Sequence, residues 1–146
     1  MSRPPQTTMV VTPVATQTIQ ASALGTEFGR QLETVMSVPG VLGVVLSDDR
    51  GYAIDYVLDP RRMTALDVQL IGAQLGQPMQ RLMEVAGRRG MGDLVVVTES
   101  KQRRLVCTTI AQEYILAAML EHEANLAKAM RRFETIHVRL RTLLLG

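Results

Sequence analysis

Apolar residues first take helical spacing at Leu24, with Leu24, Phe28, Leu32, Val35 and Met36 on one stripe and Glu27, Arg30, Gln31, Glu33 and Thr34 off it. This predicts a short amphipathic helix that Pro39-Gly40 ends. The run Val41 to Leu46 is apolar at consecutive positions, as a strand covered on both faces must be. Asp48-Asp49-Arg50-Gly51 carries turn chemistry, and Tyr52 to Val57 returns as the second arm of a hairpin. Asp55 in that arm predicts an outer strand with one wet face. A second helix is expected from Thr64, a cap residue with Asp67 three positions on. Its core stripe is Val68, Ile71, Leu75, Met79, Leu82 and Ala86, and Leu66, Leu70, Ala73 and Gln77 form a second, mixed face. Gly72 and Gly76 would let another backbone approach closely, and Pro78 is expected to kink the helix or start a new one.

Gly90-Met91-Gly92 ends that helix, and three strand-like runs follow at Leu94 to Thr98, Leu105 to Ile110 and Tyr114 to Leu120. Their joints are long enough only for antiparallel hairpins. The last run is apolar on both faces and belongs in the centre beside Val41 to Leu46. Cys107, Thr108 and Thr109 make the middle run more amphipathic. A final helix is capped by Asn125 and runs to Leu144, with Leu126, Met130, Phe133, Ile136, Leu140 and Leu143 at helical spacing. Lys128, Arg131, Arg132, Arg139 and Arg141 are read as its solvated face. The resulting order, helix, two strands, helix, three strands, helix, predicts an α+β sandwich on one five-stranded antiparallel sheet with helices on both faces.

Residues 1–21 differ from the rest, with three prolines, five threonines, three glutamines and one charged side chain, Arg3. That composition buries too little apolar surface to offset ordering entropy, so 1–21 is expected to be a disordered tail before a single domain at 22–146. At 146 residues and 47% hydrophobic content, one domain is the expected count. The net charge of +2 is spread along the chain rather than gathered into a basic run, which argues against nucleic-acid binding. A lone Cys107 excludes an intrachain disulfide and fits a reducing compartment, so the expected location is the cytoplasm. Apolar runs are far below membrane-spanning length.

Catalytic signatures are missing: there is no Gly-rich phosphate loop with its lysine, no dinucleotide fingerprint and no Gly-x-Ser-x-Gly elbow. His122 and His137 lie in different elements, neither with the i+3 or i+4 partner expected of helical metal ligands. His122 is read as part of a solvated turn and His137 as flanking the last helix's apolar stripe. Asp48 and Asp49 diverge in a tight turn and make poor paired carboxylates. Cys107, inside a strand with no thiolate-stabilising neighbour, is read as a core thiol. No enzyme, cofactor or metal is expected.

Two stretches carry a family resemblance. Val38 to Gly51, VPGVLGVVLSDDRG, resembles the first-helix exit, first strand and Asp-Gly turn of Roadblock domains of the dynein light chain family. Tyr114 to Leu120, YILAAML, followed by Glu123 to Leu126, EANL, is similar to that family's final strand and last-helix start. With the element order they cover roughly residues 24–145. The resemblance implies a homodimer in which the third strands pair edge to edge into a ten-stranded sheet, with the second helices side by side. It also implies regulation or scaffolding of Ras-like GTPases, as in bacterial MglB-type members acting in cell polarity and motility; eukaryotic relatives are dynein light chains and lysosomal scaffold subunits. Pro78 departs from the family pattern.

The expected function is therefore a non-enzymatic dimeric regulator of a small Ras-like GTPase. The alternative is a pure adaptor that binds a Roadblock paralogue without affecting hydrolysis. An enzyme or small-molecule sensor lacks a convergent polar constellation. The expected dimer interface is Leu94, Val95, Val96, Val97 and Thr98, a hazardous bare edge if left unpaired, with Leu66, Leu70 and Ala73. Arg61, Arg62, Leu66, Leu70 and Gln77 are the expected partner-binding residues. No nucleic acid and no membrane insertion are expected.

Overall fold

The computed structural model describes residues 27–146; Leu24, the tail at 1–21 and its boundary with the domain lie outside the described residues. The elements are α1 (Glu27–Met36), β1 (Val41–Asp48), β2 (Ala53–Leu58), α2 (Ala65–Arg88), β3 (Val95–Glu99), β4 (Arg103–Ile110), β5 (Tyr114–Glu121) and α3 (Leu126–Leu145). One five-stranded antiparallel sheet runs in the order β2-β1-β5-β4-β3. β1 and β5 hold the centre, as their two-sided apolar runs require. A local slip in the β1–β5 register between Val41 and Gly43 places Val41 on the same face as Val44 and Leu46, and Leu42 with Val45 on the other.

The two sheet faces have separate cores. On one, Leu32 and Val35 of α1 and Phe133, Ile136 and Leu140 of α3 pack on Val44, Leu46, Val57, Val106 and Leu116. On the other, Val68 and Met79 of α2 pack on Leu42, Val45, Tyr56, Cys107 and Ile115. Each fully buried aliphatic or aromatic side chain in these layers contributes roughly 1.5–3 kcal/mol relative to exposure. Caps set the helix starts. Thr64 Oγ1 accepts from Asp67 N at 3.1 Å and the Asp67 carboxylate accepts from Thr64 N at 2.9 Å, a closed capping box. Asn125 Oδ1 accepts from Lys128 N at 3.0 Å and opens α3.

Tertiary packing overrides the sequence pattern at several positions. Asp55 is fully buried rather than wet, and its carboxylate accepts from the Tyr56 N–H at 2.7 Å; β2 is nevertheless an edge strand. Thr108 and Thr109 are buried too, in the half of β4 that lies next to the β4–β5 turn and is buried from Val106 to Ile110. Gln31, read as off the apolar stripe, is buried in the seam between α1 and α3, donating to Glu27 and accepting from Arg139. Leu82, read as core, is exposed. Pro78 leaves α2 unbroken, without a fresh start. The carbonyl left without an amide partner is that of Gln74, an exposed residue on the side of the helix open to water.

Gly72 and Gly76 lie on the buried face of α2, against the chain's own β1–β2 hairpin. A Cβ on Gly72 would meet Ser47 at 3.3 Å, and one on Gly76 would meet the Asp49 carbonyl oxygen at 3.3 Å. The close approach they permit is therefore within the chain. The arginines of α3 are also not merely solvated. Arg132 donates to Thr34 O and Ser37 Oγ of the α1 end, and Arg141 lies 3.7 Å from Asp93.

Candidate partner-binding surface

β3 is the least buried strand of the sheet. It pairs on one side with β4 alone, and Val95 and Val97 are 54% and 40% exposed. An edge of this kind presents unpaired backbone donors and acceptors with apolar side chains beside them, a template for another strand. Val96 is half-buried and packs toward the α2 side, where α2 covers β1, β2 and β5 but leaves β4 and β3 partly bare. Thr98 is exposed. Leu94 precedes the strand, with its N–H donating to Thr109 Oγ1 at 2.9 Å and its carbonyl accepting from Thr109 N at 3.0 Å.

Both ends of β3 are tied down by a carboxylate shared between a histidine and an arginine. Before the strand, Asp93 lies 3.3 Å from His137 Nε2 and 3.7 Å from Arg141, and it accepts from Thr109 Oγ1 and from the N–H groups of Ala111 and Gln112. At its end, Glu99 lies 3.3 Å from His122 Nε2 and 3.7 Å from Arg104. Both histidines of the chain thus stand beside the ends of the edge strand, His122 from the half-exposed turn after β5 where it was expected.

The outward side of α2 carries Leu66 and Leu70, 62% and 44% exposed. Leu70 lies with Ile71 and Gln74 along an open groove of about 430 Å³ whose far wall is Met119 and Arg103. Ala73 and Gln77 lie on the opposite flank, lining a second groove of about 600 Å³ with Asp49 and Arg50. Ala73 abuts Gly51 of the β1–β2 turn.

Arg61 and Arg62 are exposed but already paired. Arg61 donates to Asp59 through Nε at 3.2 Å and Nη2 at 3.0 Å, a bidentate fork. Burial alone would push the Asp59 carboxyl up, but hydrogen bonds from Arg61 and the charges of Arg61 and Arg62 outweigh it and hold the group below its ordinary 3.8. Arg62 pairs with Glu121. Neither guanidinium is poised to reach into another protein's active site without breaking an existing contact.

The β1–β2 turn, unremarked at the sequence level beyond its turn chemistry, is held from several sides. Asp48 Oδ1 accepts from Arg50 N at 2.9 Å and Tyr52 N at 3.0 Å. Gly51 has φ +91 and its missing Cβ would stand 2.6 Å from Ala73 Cα. Only glycine satisfies both conditions, and at Gly76 within the helix the same small size costs about 1 kcal/mol relative to alanine.

Among the described residues, no group of three His, Cys, Asp or Glu side chains could hold a metal ion, and no helix is long and apolar enough to cross a membrane. Cys107 is buried, and burial pushes its thiol up to about 11, which leaves it protonated and unreactive.

A five-stranded antiparallel sheet with two helices on one face and one on the other, in this chain order, is the Roadblock/LC7 fold. Among solved structures, the chain is similar to a Roadblock/LC7 domain from Streptomyces avermitilis, at 20% identity and a TM-score of 0.66 over 80% of this chain and 97% of that one. It is also similar to Myxococcus xanthus MglB, at 14% identity and a TM-score of 0.67 over 82% of this chain and 98% of that one. MglC from the same organism aligns at 18% identity with a TM-score of 0.59, covering 80% of this chain and 98% of that one. No family model matches the sequence, and no curated protein matches it. At these identities the shared property is the fold.

Proposed function

We propose that this chain is a non-enzymatic, cytoplasmic regulator of a small Ras-like GTPase, of the kind active in bacterial cell polarity or motility, and that it works as a homodimer. The observation that carries the reading is the bare side of the molecule: an edge strand with exposed valines, fixed at both ends, beside a helix with exposed leucines. Exposed apolar surface of this kind on a well-packed domain marks a protein interface. Leu94, Val95, Val96, Val97 and Thr98 pair with their counterparts in a second copy, and Leu70 on the neighbouring flank of α2 packs across the two-fold axis. The partner surface comprises Leu66, Leu70 and Gln77 on α2 with Arg61 and Arg62 at its start. Because both arginines are held by carboxylates, they act as surface features of fixed shape rather than as donated catalytic groups.

The test combines mass and turnover. The full chain has a solution mass about twice 16.1 kDa, and Val97→Pro, which removes a donor from the outer side of the edge strand, shifts it to one. Mixed with the Ras-like GTPase of the same genome, the protein binds the GTP-loaded form and accelerates hydrolysis. Binding without acceleration assigns it instead to an adaptor that joins other proteins, a Roadblock paralogue among them. Absence of binding to either class overturns the functional reading.

A further inference from the structure

We propose that α2 is a sliding element: its seam with β1 and the β1–β2 turn lets the helix shift lengthwise on the sheet, carrying the exposed Leu66 and Leu70 with it. The two faces of the sheet are built from different residues. On the α1 and α3 side the buried core is Leu, Val, Ile, Ala and Phe, with no methionine among the described residues; Met36 and Met130 reach it only at its margin. On the α2 side Met63 and Met79 are buried in the core, Met119 packs against it, and Met83 is buried on the inner face of the helix. Branched side chains hold one rotamer and interlock, whereas methionine is unbranched and refills a changed gap at little cost.

Where the first half of α2 comes closest to the sheet, backbone meets backbone or a small side chain. A Cβ on Gly72 would stand 3.3 Å from Ser47, one on Gly76 3.3 Å from the Asp49 carbonyl oxygen, and one on Gly51 2.6 Å from Ala73 Cα. Such contacts offer no knobs to fix a helix along its axis, and small slides of packed helices are one of the ways domains move. Ser47 supplies the reason to move. Its side chain is fully buried under Gly72, and among the described residues its hydroxyl has no hydrogen-bond partner. An unmet buried hydroxyl raises the free energy of the state that holds it. Helix carbonyls keep a second lone pair, so a slide of part of a turn that brings one of them over Ser47 Oγ relieves that cost. Pro78 loosens the helix for this, since it supplies no N–H to the Gln74 carbonyl and the two halves of α2 are joined by one bond fewer. A protein that grips Leu66 and Leu70 then selects between two positions of the helix.

The experiment is methyl relaxation dispersion on the full chain, isotope-labelled at its methionine methyl groups and measured at two protein concentrations. Met63, Met79, Met83 and Met119 show exchange on the microsecond to millisecond timescale that does not depend on concentration, and Met36 and Met130 on the other face do not. Ser47→Ala removes the unmet hydroxyl from the docked position. It lowers the population of the shifted state about fivefold or more, flattens the dispersion on the α2 side and raises the melting temperature by about 3 °C. Flat wild-type profiles on the α2 side, equal exchange at Met36 and Met130, or exchange that follows concentration overturn the inference. So does a Ser47→Ala protein that melts below wild type or keeps its dispersion. None of these results touches the regulator reading, because no GTPase enters the measurement.

Discussion

Replacing Asp93 by alanine tests whether one side chain holds the start of the edge strand and the neighbouring hairpin together. The β4–β5 turn places two non-glycine residues in the left-handed region, Ala111 at φ 55 and Gln112 at φ 61. Each such residue costs roughly 1 kcal/mol or more. Asp93 offsets this by accepting from Gln112 N at 3.2 Å, Ala111 N at 3.3 Å and Thr109 Oγ1 at 3.1 Å. Hydrogen bonds to a charged acceptor contribute roughly 1.5–3 kcal/mol each, less when they share one carboxylate. Its side chain is only 18% exposed, so water cannot fully replace it. The expected loss for Asp93→Ala is about 3 kcal/mol, a large fraction of a typical domain's stability and about 10 °C in melting temperature. Urea unfolding followed by circular dichroism measures the total, and amide exchange locates it. Protection falls first at 94–98 and 109–113, ahead of the β1–β5 centre. Gln112→Gly in the Asp93→Ala background restores about 1 kcal/mol by removing strain. A loss below 1 kcal/mol, or one spread evenly over the sheet, refutes the reasoning.

Gly51→Ala lowers stability by about 3 kcal/mol or more, because the added methyl meets the Ala73 backbone and the φ of +91 is strained; thermal melts check this. Cys107 in the native protein reacts with a thiol reagent at pH 8 only after unfolding, its thiol being held near 11, and the time course of labelling decides the point. Deleting residues 1–21 leaves the melting temperature of the domain within about 2 °C, since that segment offers no apolar stripe to pack. Because the Asp59 carboxyl is lowered on folding, its stabilisation is fully present above the unfolded value of 3.8 and lost as pH falls through the lower folded one. Asp59→Asn therefore loses less stability than wild type between pH 5 and 2, as acid titrations will record.

Much of the architecture is written in local signals. Thr64 with Asp67, and Asn125, mark helix starts because capping needs only residues three apart. The two-sided apolar runs of β1 and β5 place both strands in the centre because burial on two faces leaves no position for polar residues. What stayed hidden depends on neighbours distant in sequence. Thr109 looks like a surface residue until Asp93, sixteen positions away, comes within reach. Gly72 and Gly76 declare that something comes close but not whether it belongs to this chain. For the partner surface, the Val95 to Thr98 run is readable as a strand, while its bareness follows only from where α2 lies. The pairing of Arg62 with Glu121, fifty-nine positions away, has no sequence signal. Gly51 is visible as a turn residue, but nothing local tells that it fits against the Ala73 backbone.

The two borders of the sheet are unlike. Along β2 the side chains of Asp55, Tyr56, Val57 and Leu58 are all buried, and a carboxylate sits against the Tyr56 amide where an incoming strand would want that donor. Along β3 nothing comparable intervenes. A molecule with two open borders can add copies without end and grow into a fibre, whereas one with a single open border is satisfied by its first neighbour. If copies of this chain do join through β3 as proposed, the buried aspartate on the far side of the sheet limits strand addition to two chains, because the second border offers the next copy no matching donor.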